Sequence, residues 1–318
     1  MMQAPVYTDV LRARRAIAPY LTPTPLRNYP ALDRLLATRV FVKHENLQPT
    51  GAFKVRGGVN LVSRLSEEER AAGVVCASTG NHGQSIAYAA RLFGVRARVV
   101  VPEGANPLKV ESMRDYGAEV IFHGADFDEA RGRCELLARE TGARYVHSAN
   151  EPLLVAGVAT HTLEIFEEEP ETEVVFVPVG GGSGAAGACL VARAVSPRAR
   201  VVGVQAEKAP AAHNSWRARR LLEDKMETEA EGIATRVAFE LTQRMLWEML
   251  DDFLLVTEEE IRQAMRLYVE GARTLAEGAG AAALAGALKT RDAHAGRTVA
   301  LILSGCNVTA GQLRRTLA

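Results

Sequence analysis

Residues 73–102 read "GVVCASTGNHGQSIAYAARLFGVRARVVVP". Two short apolar runs, "GVVCAS" and "ARVVVP", flank a helical run, "GQSIAYAARLFG", that closes on Gly94. A strand, a glycine-stopped helix and a second strand make one unit of a parallel α/β sheet, because parallel strands need a crossover of about that length. The pattern continues outward. "NPLKVESMRDYG" reads as a helix, "AEVIF" as a strand, "DFDEARGRCELLARETG" as a helix and "ARYVH" as a further strand. Residues 69–149 are expected to form a compact small lobe whose sheet is covered on both faces.

The alternation then resumes. "VVFVPV" runs into "GGGSGAAGACLVARAV", and the strand "RVVGVQAE" follows. A less regular, charged region spans roughly 208–236, then come a helix near 239–250, the strand "DFLLVT", two helices and a last strand, "TVALILSG". Residues 1–68 are assigned with 150–318 to a larger lobe. The expected fold class is α/β with two lobes, each an open, mostly parallel twisted sheet flanked by helices.

Composition narrows the partners. The chain has 318 residues, 47% of them apolar, which suits two domains with real cores. Lys plus Arg equals Asp plus Glu at 38 each, so nothing argues for nucleic acid or an anionic membrane. A small-molecule partner is the expectation. Cys76, Cys134, Cys189 and Cys306 lie far apart, without the spacing of a zinc site or a disulfide framework. The N-terminal run "MMQAPVYTDVLRARRAIAPY" does not read as a signal peptide, and no run reaches the roughly 18 apolar residues of a membrane span. The stretch "GAGAAALAGAL" from Gly278 reads instead as a close-packed interior helix. A cytoplasmic protein is expected.

Three segments carry chemistry. The first is the turn through Gly180, Gly181, Gly182, Ser183 and Gly184, between an apolar strand and a helix. Free N–H groups at a helix start attract an anion, and glycines let a phosphate approach closely. Gly182, Gly184 and Gly187 also satisfy GxGxxG, with Glu207 about 20 residues on, so a dinucleotide site is an alternative. A packing turn is another. The second segment is "STGNHGQS", whose Ser78, Thr79, Gly80, Asn81 and His82 suit a carboxylate or a hydroxylated ring, or simply cap a helix. His82 reads as a hydrogen-bonding prop. The third is "PTGAFKVRGG", residues 49–58. Lys54 there is either a solvated surface lysine or an amine whose pKa is lowered by burial beside Phe53 and by the neighbouring Arg56. An isolated lysine, an anion cradle and a carboxylate loop are together the parts of a pyridoxal phosphate site.

"HENLQPTGAFKVRGG", "STGNHGQ", "VPVGGGSG", "EGAGAAALAG" and "LSGCNV" occur in the order seen in fold-type II pyridoxal enzymes. Across nearly its whole length the chain resembles the threonine and serine dehydratases and serine racemases of that family. The resemblance implies a tryptophan synthase β-like fold and pyridoxal 5'-phosphate bound to Lys54 as a Schiff base. It places Phe53 beside the ring, Asn81 on the ring hydroxyl, Glu277 close to the ring and Ser304 opposite the pyridine nitrogen. Gly180, Gly181, Gly182, Ser183 and Gly184 would hold the phosphate, and Ser78, Thr79, Gly80 and His82 the substrate carboxylate. The implied reaction is dehydration and deamination of L-threonine, L-serine or both to a 2-oxo acid and ammonia, by a homodimer. A racemase, or a dehydratase for another β-hydroxy amino acid, is the alternative. A hydroxyl at Ser304 does not hold a proton on the ring nitrogen as a carboxylate would, which favours prompt β-elimination.

The chain departs from the family pattern at several places. Ser183 stands where a fourth glycine is common, and Thr79 where racemases have serine, which argues against reprotonation from the opposite face. "AGVAT" at 156–160 replaces "AGQGT". The carboxylates of the family's divalent-metal site fall at Gln205 and Ala211, so no metal is expected, although Glu207 could contribute to a shifted site. The sequence ends at Ala318, soon after "LSGCNV", so no regulatory region of the biosynthetic kind is expected. Cys306 is expected to be a buried, inert thiol.

Overall fold

The computed structural model describes residues 3–125 and 127–318. Met1 and Met2 of the N-terminal run, and Asp126 at the head of the third helical run, lie outside the described residues. The chain begins with helix α1 (Tyr7–Ile17), strand β1 (Leu26–Asn28), α2 (Pro30–Leu36) and β2 (Arg39–His44). Helices α3 (Val55–Val62) and α4 (Glu67–Ala72) lead into β3 (Val74–Ala77), α5 (Asn81–Leu92), β4 (Ala97–Val101) and α6 (Pro107–Asp115). β5 (Glu119–Phe122), α7 (Phe127–Thr141), β6 (Arg144–Tyr145) and α8 (Pro152–Glu168) follow. Then come β7 (Val174–Pro178), α9 (Ser183–Val195), β8 (Arg200–Ala206), α10 (Ala211–Ala218), α11 (Glu240–Met249) and β9 (Asp252–Val256). The last elements are α12 (Glu258–Leu267), α13 (Gly278–Lys289), β10 (Thr298–Leu303) and α14 (Ala310–Leu317).

These strands form two sheets. One has the order β5-β4-β3-β6 and is parallel throughout. The other has the order β1-β2-β10-β7-β8-β9, with only the β1–β2 pair antiparallel. Parallel strands covered on both faces read as unbroken apolar runs. β3 ("VVCA") and β7 ("VVFVP") are such runs, buried at every residue. The alternation in the sequence thus gives the fold class expected from it. Gly94 ends α5 in the left-handed region at φ +65°, as its glycine stop implies. α13 is the interior helix read from its small residues, with Ala279 to Ala287 buried.

One expectation needs correction. The irregular region 208–236 contains α10, which buries Ala211 and Ala212 while Trp216 stacks edge-on against Phe253, their ring centroids 6.0 Å apart. Segments on either side of residue 68 pack together. β1 and β2 belong to the six-stranded sheet, but Val55, Val59, Leu61 and Val62 of α3 share a core with Val74, Ile86 and Val99 of the other sheet.

Small residues let α8 lie against its neighbours. A Cβ on Gly187 of α9 would stand 2.9 Å from the Cα of Ala159, and one on Gly157 only 2.6 Å from the Arg56 carbonyl oxygen. Ala159 in "AGVAT" therefore sits at a helix crossing that tolerates little more than a methyl group. Around this crossing lies a buried ionic cluster. Arg56 donates to Glu45 and to Glu164, and Lys43 Nζ is 2.8 Å from Glu164 Oε2.

Candidate active site

The strand-to-helix turns of the two sheets face one cavity of about 420 Å³. Phe53, Lys54, Ser78, Thr79, Gly80, Asn81, His82, the run Gly180 to Gly184, Glu277 and Ser304 all line it. Segments spread over most of the sequence therefore meet at one place.

Lys54 stands at the N-terminus of α3 and points into the cavity. Its Nζ donates to Ser183 Oγ at 2.9 Å and to the Ser148 carbonyl at 3.4 Å, and lies 5.3 Å from the Phe53 ring centroid. Burial pushes its pKa from 10.5 down to about 8. Arg56 is not the cause, contrary to the sequence expectation. Its guanidinium is 1% exposed, turned away and neutralised by Glu45 and Glu164.

The glycine turn follows β7 directly. Gly182 adopts φ +86°, a region that side chains other than glycine rarely enter, and α9 starts at Ser183. Thr242 Oγ1 donates to the Gly181 carbonyl at 2.7 Å and fixes the turn from behind. A Cβ on Gly180 would lie 2.6 Å from the Gly232 carbonyl, and one on Gly184 would lie 3.3 Å from the Phe53 ring. The turn thus keeps its backbone bare beside the first N–H groups of α9.

In the facing loop, the capping reading of "STGNHGQS" finds a place. Ser78 Oγ accepts from the N–H groups of Gly80 and Gly83, at 3.0 and 2.8 Å, and so shapes the helix start. His82 is the prop expected of it. Its Nε2 lies 3.1 Å from the Val146 carbonyl, which can only accept, so this nitrogen carries the hydrogen. Burial, reinforced by Lys54, brings its pKa down to about 3 and keeps the ring neutral.

Asn81 opens α5. It donates to Glu277 Oε1 at 2.6 Å and accepts from Asn307 Nδ2 at 2.8 Å. Burial raises the Glu277 pKa, against the pull of Lys109. Ser304 follows β10 directly, and its carbonyl accepts from the Phe53 N–H at 3.0 Å. Cys306 is half-buried, and burial lifts its thiol to about 11, so it stays protonated.

Residues 17–305 match the family described as "pyridoxal-phosphate dependent enzyme". The chain belongs to this family. It is 39% identical over 311 residues to an L-threonine ammonia-lyase of Thermotoga maritima, covering 97% of this chain and 77% of that one. It is similar to the solved T.th. threonine deaminase at a TM-score of 0.90 and 37% identity, over 96% of this chain and 99% of that one. A serine racemase from Dictyostelium discoideum gives a TM-score of 0.90 at 32% identity, over 96% and 99%.

Its cavity fits the family's cofactor on chemical grounds. A half-buried amine with a lowered pKa suits an aldehyde, and a bare glycine turn at a helix N-terminus suits a phosphate. The dinucleotide alternative loses its third glycine, because Gly187 faces Ala159 rather than the cavity.

Sequence reading missed Lys109, Glu231 and Asn307. Glu231 and Lys109 line the cavity, and Asn307 braces Asn81. For Lys109 a signal existed. It shares a helix face with the apolar Val110 and Met113, and all three are buried.

Proposed function

We propose that this pyridoxal-phosphate enzyme is an ammonia-lyase that eliminates the β-hydroxyl of L-threonine, L-serine or both as water and takes a water back when the product hydrolyses, giving a 2-oxo acid and ammonia. The observation that carries the reading is Lys54. Its amine is half-buried, has a pKa of about 8 and lies 2.9 Å from Ser183 at the head of α9. The T. maritima ammonia-lyase and the T.th. threonine deaminase support this reaction class.

In this reading Lys54 Nζ would hold the cofactor through its aldehyde. Gly180, Gly181, Gly182, Ser183 and Gly184 would take its phosphate, Phe53 would pack beside the ring, Asn81 and Glu277 would serve the ring hydroxyl side, and Ser304 would serve its nitrogen. When bound, the cofactor supplies the electron sink that makes the substrate Cα–H acidic. Thr79 and Gly80, shaped by Ser78 and propped by His82, receive the substrate carboxylate. Lys54, released as a free amine, takes the Cα proton at Nζ. Its lowered pKa is what makes it a base near neutral pH. The Ser304 hydroxyl leaves the ring a weaker sink than a carboxylate would, which favours loss of the β-hydroxyl over reprotonation.

We assign residues 69–149, with α3 packed against them, to the small lobe, and residues 1–68 and 150–318 otherwise to the large one. We place the protein in the cytoplasm as a homodimer, on the family resemblance. Among the described residues no helix is long and apolar enough to cross a membrane.

The test uses purified protein with added pyridoxal phosphate. A visible absorption band, 2-oxobutyrate from L-threonine or pyruvate from L-serine, and an inactive Lys54→Ala variant are expected. Turnover confined to the interconversion of L- and D-serine would replace the reading with the racemase one. A visible band without activity on either amino acid would move the substrate to another β-hydroxy amino acid. No spectral change on adding cofactor would sink the assignment.

A further inference from the structure

Lys109 stands on α6, beside the four-stranded sheet, and reaches across to two carboxylates of the other lobe. Its Nζ lies 2.5 Å from Glu231 Oε2 and 3.7 Å from Glu277 Oε2. Its side chain is 6% exposed, and lysine is rarely buried without a partner. The stem is in use as well. A Cβ on Gly80 would stand 3.0 Å from Lys109 Cδ and 3.3 Å from its Nζ, so the turning point of the Ser78–His82 loop rests on this side chain.

Both carboxylates lead further. Glu277 Oε1 accepts from Asn81 at 2.6 Å, while Glu231 Oε1 accepts from Gln312 Nε2 of α14 at 3.3 Å. One ammonium therefore supports the loop, orients Glu277 toward Asn81 and ties α6 to the large lobe. An exposed ion pair would contribute little. Here burial and a second carboxylate change the balance, because removing the ammonium leaves Glu277 buried beside Glu231 with no cation between them.

We propose that Lys109 is a positioning residue, which clamps α6 to Glu231 and Glu277 and thereby holds the Ser78–His82 loop and the Asn81–Glu277 pair in the geometry that binds substrate and ring. The roles of loop and pair rest on the reading of the cavity given above. The clamp itself does not, so it is also tested by measurements that need no turnover.

The experiment compares holoenzyme of the wild type, Lys109→Met, Lys109→Arg and Glu231→Gln. Three quantities are read: amide hydrogen exchange, the dissociation constant for pyridoxal phosphate, and KM and kcat on L-threonine. In Lys109→Met, exchange across residues 79–83 and 107–115 is expected to quicken about tenfold while the strands of both sheets stay protected. The cofactor is expected to bind about fivefold more weakly, and KM to rise about tenfold with kcat within roughly threefold of wild type. Lys109→Arg, which keeps the charge, should recover most of each effect. A folded Lys109→Met with exchange and cofactor affinity within about twofold of wild type would overturn the proposal. So would loss of protection spread evenly over both sheets. If Lys109→Met does not fold, Glu231→Gln decides, because it keeps the ammonium beside Glu277. It should show the same local quickening of exchange at smaller size, and no change there would equally overturn the clamp. Absence of turnover in the wild type would count against the ammonia-lyase reading alone, since exchange and cofactor affinity still report on Lys109.

Discussion

The Arg56 guanidinium grips Glu164 with two hydrogen bonds of 2.7 Å each, beneath the first turn of the helix that carries Lys54. Glu45 takes the other side of the same guanidinium, at 2.7 and 2.8 Å. The position two residues after Lys54 thus anchors α3 to α8 and to the end of β2.

Replacing Arg56 by methionine should cost about 3–5 kcal/mol, because it strands Glu45 in the interior and leaves Glu164 only Lys43 and Arg14. Arg56→Lys should recover only part of this, since a point charge cannot serve both forks. Urea unfolding of the three proteins checks it. The cluster also sets an acid limit. Burial opposes the Glu45 carboxylate, but Arg56 and Thr24 outweigh it and hold its pKa at about 2, against 4.5 ordinarily. The folded-state value lies below the unfolded one, so this stability is complete above pH 4.5 and drains away as pH falls toward 2. An unfolding midpoint insensitive to pH across that window would contradict the account.

Lys54 gives the opposite sign. Its folded pKa of about 8 lies below its ordinary 10.5, so the folded state binds this proton less tightly. The site disfavours folding below about pH 8, and the penalty vanishes as pH rises through 10.5. Only the free amine attacks an aldehyde. Capture of pyridoxal phosphate by cofactor-free protein, followed by stopped-flow absorbance, should therefore quicken with pH around a midpoint near 8. Ser183→Ala removes the hydroxyl that accepts from the ammonium at 2.9 Å, and should lower that midpoint by roughly half a unit to one unit. A wild-type midpoint near 10 would show that burial does not tune this amine.

Gly157→Ala should destabilise by about 1–3 kcal/mol, because its methyl would meet the Arg56 carbonyl and the α3–α8 crossing must open. Thermal unfolding reads the loss directly. A variant as stable as wild type would mean that the crossing relaxes without cost.

Activity should be unchanged by chelator and should not rise with magnesium. Gln205, at one of the family's metal positions, presents a neutral amide whose oxygen already accepts from the His213 N–H at 3.0 Å. The other position, Ala211, offers no oxygen on its side chain. A hard divalent cation prefers carboxylates. A several-fold gain from magnesium would mean that a site exists elsewhere, for instance through Glu207.

Sequence alone determined what is local. Strand runs, helix stops and bare turns depend on neighbours within a few residues, so the alternation from 73 to 149 and the glycine turn at 180–184 were legible without any contact map. The three segments that line the cavity, around Lys54, Gly180–Gly184 and Ser78–His82, were legible too, because each is one short stretch. Which charges answer one another was not. Lys109 and Glu231 are 122 residues apart, Asn81 and Glu277 196, and Asn81 and Asn307 226. Nothing in spacing links such pairs. Arg56 makes the point most sharply: beside Lys54 in the sequence it looked like the cation that lowers the amine pKa, yet the fold turns it away onto two carboxylates and leaves that task to burial. Side chains two apart at the start of a helix point in different directions, and only the packing of α8 against α3 decides what each one meets.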